Sequence, residues 1–309
     1  MQRLVDKFID ALMPHVMQRI MPAVEVRISE RVKPFLPAPD VYRSAADAPF
    51  MRYSTCNFED FLHPEFFRLC ELIQHPVFYH RKLWEFVFIL HHAYRLGAVA
   101  ADKRCLGFGV GSEPLPAAFA STGAQVTATD APADIGRERG WTNANQLALG
   151  LANLPVGRMT RAAFEERVSF QQCDMNSIDP LFRDFDLCWS SCAFEHLGSI
   201  QKGLDFVVNS INTLKPGGVA IHTTEFNLSS NTETVDDDWT VLFRRQDFDR
   251  LIHQLQELGH TVEPFVLAAN PTPVDQFVDT PPYTETPHLK LLLEGHITTS
   301  AGLVVRRGN

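Results

Sequence analysis

The stretch "CLGFGVGSEPLPAAFASTGAQVTATD", residues 105–130, constrains this chain more than any other. Apolar residues lead into three glycines at alternate positions, Gly107, Gly109 and Gly111. A short helical segment follows Pro114, and a second apolar run closes on Asp130. Strand, glycine turn, helix and strand open a unit whose two strands must run parallel, because the connection is far longer than a hairpin. An acid at the end of the second strand, about 20 residues past the turn, is placed to accept from ribose hydroxyls. The layout builds a pocket for an adenosine-containing cofactor.

Two cofactor classes fit such a pocket. A dinucleotide site needs a third glycine, so that the helix can pack closely while its N-terminus faces a pyrophosphate. Counting from Gly107, that place holds Ser112, and from Gly109 it holds Pro114. The dinucleotide reading fails there. S-adenosylmethionine has no pyrophosphate and needs only a loop free of side chains, so that backbone can approach it.

From Lys103 onward strand and helix patterns alternate to the end, the signature of a doubly wound, mostly parallel α/β sheet. Seven strands are expected near 104–108, 125–130, 168–173, 185–190, 217–224, 261–267 and 296–306. Helices fit after Pro114, around Asn145, over 199–213 and over 246–259. Three regions result: an N-terminal helical extension over 1–50, a helical cap over 51–102, and a cofactor-binding domain over 103–309. In the extension, Leu4, Phe8, Leu12, Val16, Ile20, Val24, Ile28 and Val32 recur every four residues, a stripe for self-packing or a homo-oligomer contact. The cap's longest helix, "YHRKLWEFVFILHHAYRLG", is expected to stop at Gly97. The irregular stretches 228–243 and 268–295 exceed usual connections and are expected to wall a substrate site.

A formal net charge of −9 argues against a non-specific grip on nucleic acid. No apolar run is long enough to span a bilayer. Six cysteines without metal-type spacing read as small packed residues of a reduced, cytoplasmic protein. No metal site is expected.

Further motifs follow in order: "VSFQQCDMNSI", "FDLCWSSCAFEHLGSI" and "LKPGGVAIHTTEFN". With the glycine turn, they resemble the class I S-adenosylmethionine-dependent methyltransferases, well over 103–227 and loosely elsewhere. Phe185-Asp186, Glu195-His196 and Leu214-Lys215-Pro216-Gly217-Gly218 carry the likeness. The resemblance implies S-adenosylmethionine as cofactor, held by Gly107, Gly109, Gly111, Glu113, Asp130, Asp174, Met175, Asn176 and Ser191. One departure stands out: Cys105 occupies a place where the family usually has an acid, and Glu113 or Glu85 would have to compensate.

Methyl transfer to a hydroxyl profits from a general base at the carboxyl ends of strands four and five. The candidates are His222, Glu225 and His196, with Asn227 as an orienting amide. On a strand, His222 and Thr224 point one way and Thr223 and Glu225 the other. His222 and Glu225 converge only if the strand ends between them. The acceptor is expected to be a small hydroxylated molecule, with saccharide pathways as a weak association from resemblance. The alternatives are an N- or C-methyltransferase of another metabolite, and a catalytically silent cofactor-binding partner that oligomerises. Several motifs read as decoys: Pro281-Pro282-Tyr283, Cys192, the acidic turn 235–239, His91-His92 and Arg244-Arg245.

Overall fold

The computed structural model describes residues 47–138, 147–236, 239–269, 271–284 and 286–309. The apolar stripe over 4–32 and the helix expected around Asn145 lie outside the described residues.

Eight strands form one sheet: β1 (Arg104–Phe108), β2 (Gln125–Asp130), β3 (Val168–Gln172), β4 (Phe185–Ser191), β5 (Leu214–Asn227), β6 (Thr261–Val262), β7 (Lys290–Leu293) and β8 (His296–Arg306). Their order is β3-β2-β1-β4-β5-β8-β6, with β7 hairpinned onto β8. The strands β1 to β5 are parallel neighbours; β8 runs antiparallel to β5, β6 and β7. The doubly wound, mostly parallel sheet expected from the sequence is present, with one strand more than the seven expected. The extra strand, β7, is four residues long and turns into β8 through Glu294 and Gly295, both at positive φ, the geometry of a two-residue hairpin. Two boundaries also move. β5 runs to Asn227 because β8 pairs with it residue for residue from Val219 onward. β6 stops at Val262, and Val266 then pairs with the Ser54 backbone at 2.7 Å instead.

Alternation along the strands sorts the core into two faces. Leu187, Trp189, Val219 and Ile221 join one apolar cluster; Leu106, Phe108, Cys188 and Ala220 join the other. The first face is covered by α3 (Arg81–Arg95), after the short α1 (Phe58–Phe61) and α2 (Pro64–Leu72). The second is covered by α7 (Ile200–Ile211) and α8 (Arg245–Glu257). Between them in sequence come α4 (Leu115–Ala120), α5 (Ala133–Glu138) and α6 (Arg161–Arg167), and α9 (Pro273–Gln276) follows. The helices of 51–102 share one continuous core with the sheet.

Helix α3 positions much of the site. Its N-cap, His80, accepts from Lys82 N at 3.0 Å. It ends where Gly97, at φ +63°, lets Ala98 N reach back to Ala93 O at 3.0 Å. It lies so close to the sheet that a Cβ on Gly302 of β8 would sit 2.3 Å from the Phe88 ring. Gly302→Ala should therefore cost about 1–3 kcal/mol through overpacking. Gly97→Ala meets no neighbour and should cost about 1–2 kcal/mol through its left-handed backbone alone. Urea titrations of both variants check this; a wild-type midpoint for Gly302→Ala would mean that α3 does not press on β8.

Candidate active site

The strand order reverses at β1, which has β2 on one side and β4 on the other, so a crevice opens beyond the carboxyl ends there. A cavity of about 460 Å³ occupies it. Its wall is built strand by strand: Gly109, Gly111 and Glu113 after β1, Asp130 and Ala131 ending β2, Asp174, Met175 and Asn176 after β3, Ser191 and Cys192 at the end of β4. Lys82 of α3 and His196 complete it.

Eight of the nine expected cofactor residues thus meet in one cavity. The ninth, Gly107, does not line it. Gly107 lies within β1, and the Trp189 ring occupies its side-chain space, 2.4 Å from where a Cβ would stand. Gly109 and Gly111 do the turning, at φ +59° and +49°. The Asp130 carboxylate braces this loop: Oδ2 accepts from Gly111 N at 3.0 Å and Ala148 N at 2.8 Å, while Oδ1 accepts from Ala131 N at 2.8 Å. Burial raises the Asp130 pKa, and those backbone donors oppose the rise.

Cys105 is buried in the core. Glu113 stands in the cavity wall, where Trp189 Nε1–H donates to its Oε1 at 2.6 Å. Burial pushes the Glu113 carboxyl up to about 8, against the Trp189 bond and the nearby Lys82. Glu85, the other acid considered, lies behind the wall. Its fully buried carboxylate accepts from Lys82 Nζ at 3.1 Å, Arg81 Nη1 at 3.3 Å, Cys192 Sγ at 3.0 Å and Ser191 Oγ at 3.1 Å. Burial alone would lift Glu85; Lys82 and Arg81 hold it at about 2. Lys82 also donates to Ser191 O at 2.9 Å, which fixes its ammonium at the cavity edge. Sequence inspection missed Lys82, Arg81 and Trp189. Their only trace was a basic pair opening a long helix and an aromatic in a strand.

The structure separates the three candidate bases. His222 is 1% exposed on the α7 face, between Ser190 Oγ at 2.8 Å and Ser210 Oγ at 3.0 Å. Burial lowers its pKa to about 3. Because β5 continues past it to Asn227, His222 and Glu225 do not converge, and His222 is away from the cavity. Glu225 projects from the opposite face, ion-paired with Arg81 Nη2. Burial lifts its carboxyl to about 7 against Arg81, with Glu195 and Glu85 adding to the rise. It stands behind Cys192: oxygens of Glu225 and Glu195 and the Cys192 sulfur all lie within 4.8 Å of one another. His196 lines the cavity, its Nδ1 2.8 Å from Trp239 O and 3.1 Å from Thr240 Oγ1. Asn227 is occupied with the 228–234 turn, accepting from Ser229 N at 2.8 Å and donating to Glu233 O at 3.1 Å.

The other motifs find structural partners. Arg244 pairs with Asp247 at 2.8 Å and Arg245 with Asp249 at 2.7 Å. Asp236 caps α7 through Ile200 N at 2.6 Å. Tyr283 donates to Leu292 O, and His288 bonds Asp279 at 2.6 Å. Lys215 pairs with Asp186 at 2.6 Å at the starts of β5 and β4, the end of the sheet opposite the cavity.

Residues 106–222, which include the glycine loop and strands β2 to β4, match the family model described as "Methyltransferase domain". Over those residues the chain carries a methyltransferase domain. No curated protein matches it. Among solved structures, it is similar to an S-adenosylmethionine-dependent methyltransferase from Clostridium acetobutylicum ATCC 824, at 13% identity over 79% of this chain and 97% of that one, with a TM-score of 0.42. A candidate sarcosine dimethylglycine methyltransferase from Galdieria sulphuraria aligns at 12% identity over 83% and 92%, with a TM-score of 0.46. The 1,6-didemethyltoxoflavin-N1-methyltransferase of Burkholderia thailandensis aligns at 16% over 70% and 75%, with a TM-score of 0.38.

The cavity suits the cofactor of this methyltransferase. Its glycine loop is so closely backed that a Cβ on Gly109 would meet Ala193 Cβ at 2.9 Å. An ammonium and a carboxyl, Lys82 and Glu113, stand in the same wall, matching the two ends of a zwitterion. Removing His222 should leave that cavity untouched. His222→Ala should cost about 2–4 kcal/mol, through a void and the loss of its hydrogen bonds to Ser190 and Ser210. Its affinity for S-adenosylhomocysteine should stay at the wild-type value. Chemical denaturation beside calorimetric titration decides; a stable variant with weakened binding would return His222 to the site.

Proposed function

We propose that this methyltransferase methylates a hydroxyl of a small acceptor, a sugar or a similar hydroxylated metabolite, with Glu225 as general base. The observation that carries the reading is Glu225 itself: a buried carboxyl lifted to about 7, immediately behind the Cys192 wall of the cavity. A carboxylate of that basicity is matched to taking a proton near neutral pH.

In this reading Gly109 and Gly111 let the backbone approach the cofactor, and Asp130 accepts from ribose hydroxyls. Asp174 or Asn176 accepts from the adenine amino group while Met175 covers the ring. Glu113 receives the α-ammonium, Lys82 the α-carboxylate, and Ser191 holds Lys82 in place. S-adenosylmethionine supplies, when bound, a methyl group on a sulfonium, so the leaving group needs no help from the protein. The chain's task is to bring the acceptor oxygen in line and take its proton onto Glu225. Glu195 and Glu85 keep that carboxyl basic; Arg81 keeps it oriented.

Two outcomes are expected. Glu113 must be ionised to hold an ammonium, yet its carboxyl is pushed up to about 8. Affinity for S-adenosylhomocysteine should therefore rise about tenfold per pH unit from pH 6 towards 8. Glu113→Gln should flatten that slope. Calorimetry against pH tests it, and NAD should give no heat; a pH-independent wild type would remove Glu113 from the cofactor's ammonium.

The second outcome concerns the base. Single-turnover methyl transfer should rise with pH through about 7 as Glu225 ionises. Glu225→Gln should slow it by about 10²–10⁴-fold with cofactor affinity unchanged. Near-normal transfer in that variant would move the base to His196, and a methylated nitrogen or carbon in the product would replace the hydroxyl reading.

A further inference from the structure

Two residues of the cavity wall are left over once the cofactor is held. His75 and Phe86 line the cavity, and both come from the helical region before β1. The matched methyltransferase domain covers 106–222, and apart from Lys82 it contains every cavity residue given a cofactor role. A domain that recurs among methyltransferases is built around the cofactor they share. Side chains that reach the same cavity from outside that domain are free to serve the acceptor.

A strained turn puts His75 in place. Helix α2 ends at Leu72, and Gln74 then takes φ +56°, a left-handed backbone that side-chain-bearing residues rarely adopt. The turn closes with Gln74 N donating to Glu71 O at 3.2 Å and His75 N to Cys70 O at 2.9 Å, and Pro76 bars further helix. Strain of this kind persists where the residue it positions has a use. Phe78 stacks on the His75 ring, with centroids 5.2 Å apart and planes at 23°, and fixes it half-buried at the cavity.

The ring offers a lone pair. His75 Nδ1 lies 2.9 Å from Pro76 O, and a carbonyl only accepts, so Nδ1 carries the hydrogen of the neutral ring. The lone pair is left on Nε2, which has no hydrogen-bond partner among the described residues. Other polar groups of the wall are engaged: Lys82 on Glu85 and Ser191, Glu113 on Trp189, Cys192 on Glu85, and His196 on Trp239 and Thr240. Phe86 stands one turn along α3 from Lys82, its ring centroid 5.5 Å from the Lys82 ammonium, and adds apolar surface to the wall.

We propose that His75 and Phe86 form the acceptor subsite: His75 Nε2 accepts a hydrogen bond from a hydroxyl neighbouring the one that is methylated, and Phe86 meets the apolar face of the acceptor's ring. The proposal rests on the O-methylation reading and gives that acceptor its shape, a saturated ring bearing more than one hydroxyl.

The chemistry selects the ligand. A hydroxyl donates to the Nε2 lone pair, whereas a carboxylate, which has no hydrogen, does not. An ammonium would also donate, but the Lys82 ammonium already lies against Phe86 and repels a second cation. Apolar surface beside a few fixed polar groups is the usual make-up of a small-molecule pocket. An analogue lacking the recognised hydroxyl leaves Nε2 unpaired and is rejected for that reason.

The test uses the full chain, labelled S-adenosylmethionine and a panel of methyl glycosides with their monodeoxy analogues. For the glycoside accepted best, loss of one hydroxyl other than the methylated one should raise KM about tenfold in the wild type. His75→Ala should raise KM for the parent glycoside by a similar factor and abolish its advantage over that analogue, with the greater part of the effect on KM and not kcat. His75→Gln, whose amide oxygen reaches towards the place of Nε2, should restore the preference. Phe86→Leu should raise KM for the parent and the analogue alike. S-adenosylhomocysteine affinity, measured by calorimetry, should stay at the wild-type value in all three variants. A matching loss of that affinity in His75→Ala would make His75 a cofactor residue and overturn the proposal. Unchanged KM and an intact preference in His75→Ala would also overturn it, while O-methylation stands. Should no glycoside accept, or only amines, both readings fall together.

Discussion

The buried carboxylate of Glu85 is the interaction on which the rest of the site depends. It has no exposed surface, and six donors converge on it: Ser300 at 2.5 Å, Cys192 at 3.0 Å, Lys82 and Ser191 at 3.1 Å, Arg81 at 3.3 Å and Thr223 at 3.4 Å. Those donors come from helix α3, from strands β4, β5 and β8 and from Cys192 just past β4, so one side chain ties the helix to three strands at their functional end. An isolated charge in that position would be too costly to keep. Two cations and a full set of hydrogen bonds make it tolerable, and they set the direction of its pKa. Docking α3 in this way delivers Lys82 to the cavity edge and Arg81 to Glu225.

Around that centre the acids outnumber the bases. Glu85, Glu113, Glu195 and Glu225 face only Arg81 and Lys82 in this cluster. Glu85 pairs with both cations and shares Arg81 with Glu225, so two carboxyls are still pushed up, to about 7 and 8. A site built this way favours incoming positive charge, and it holds protons ready when none is present. S-adenosylmethionine carries both a sulfonium and an ammonium. The electrostatics of the wall therefore agree with the cofactor that the glycine loop admits on steric grounds.

Much of this was legible in advance. Strands β1, β2, β4 and β8 fall within a residue of where alternation placed them, and the Gly109–Gly111 turn, Asp130 and the Asp174–Asn176 segment line one cavity. The misreadings are equally physical. Gly107 looked like part of the cradle, but it is a glycine because a tryptophan ring lies on it. His222 looked like a base because it sits in a suggestive motif. Alternation already pointed it away from Glu225, and only the continued pairing of β5 with β8 to Asn227 made that alternation binding. β7 was missed because four residues within a proline-rich connection carry too short a pattern to read.

The sequence by itself determined the sheet, the glycine turn, the acid at the end of β2 and the class of cofactor, because each of these is written in residues close together along the chain. Backbone periodicity and the absence of a side chain are local properties. The tertiary structure alone decided which acid faces the cavity, which histidine is buried, and which cations serve them. Arg81 meets Ser300 across 219 residues, Glu85 meets Cys192 across 107, and Trp189 meets Glu113 across 76. No pattern in the chain records such meetings. Proton affinity and charge pairing in a low-dielectric interior depend on distance in space, and folding sets that distance.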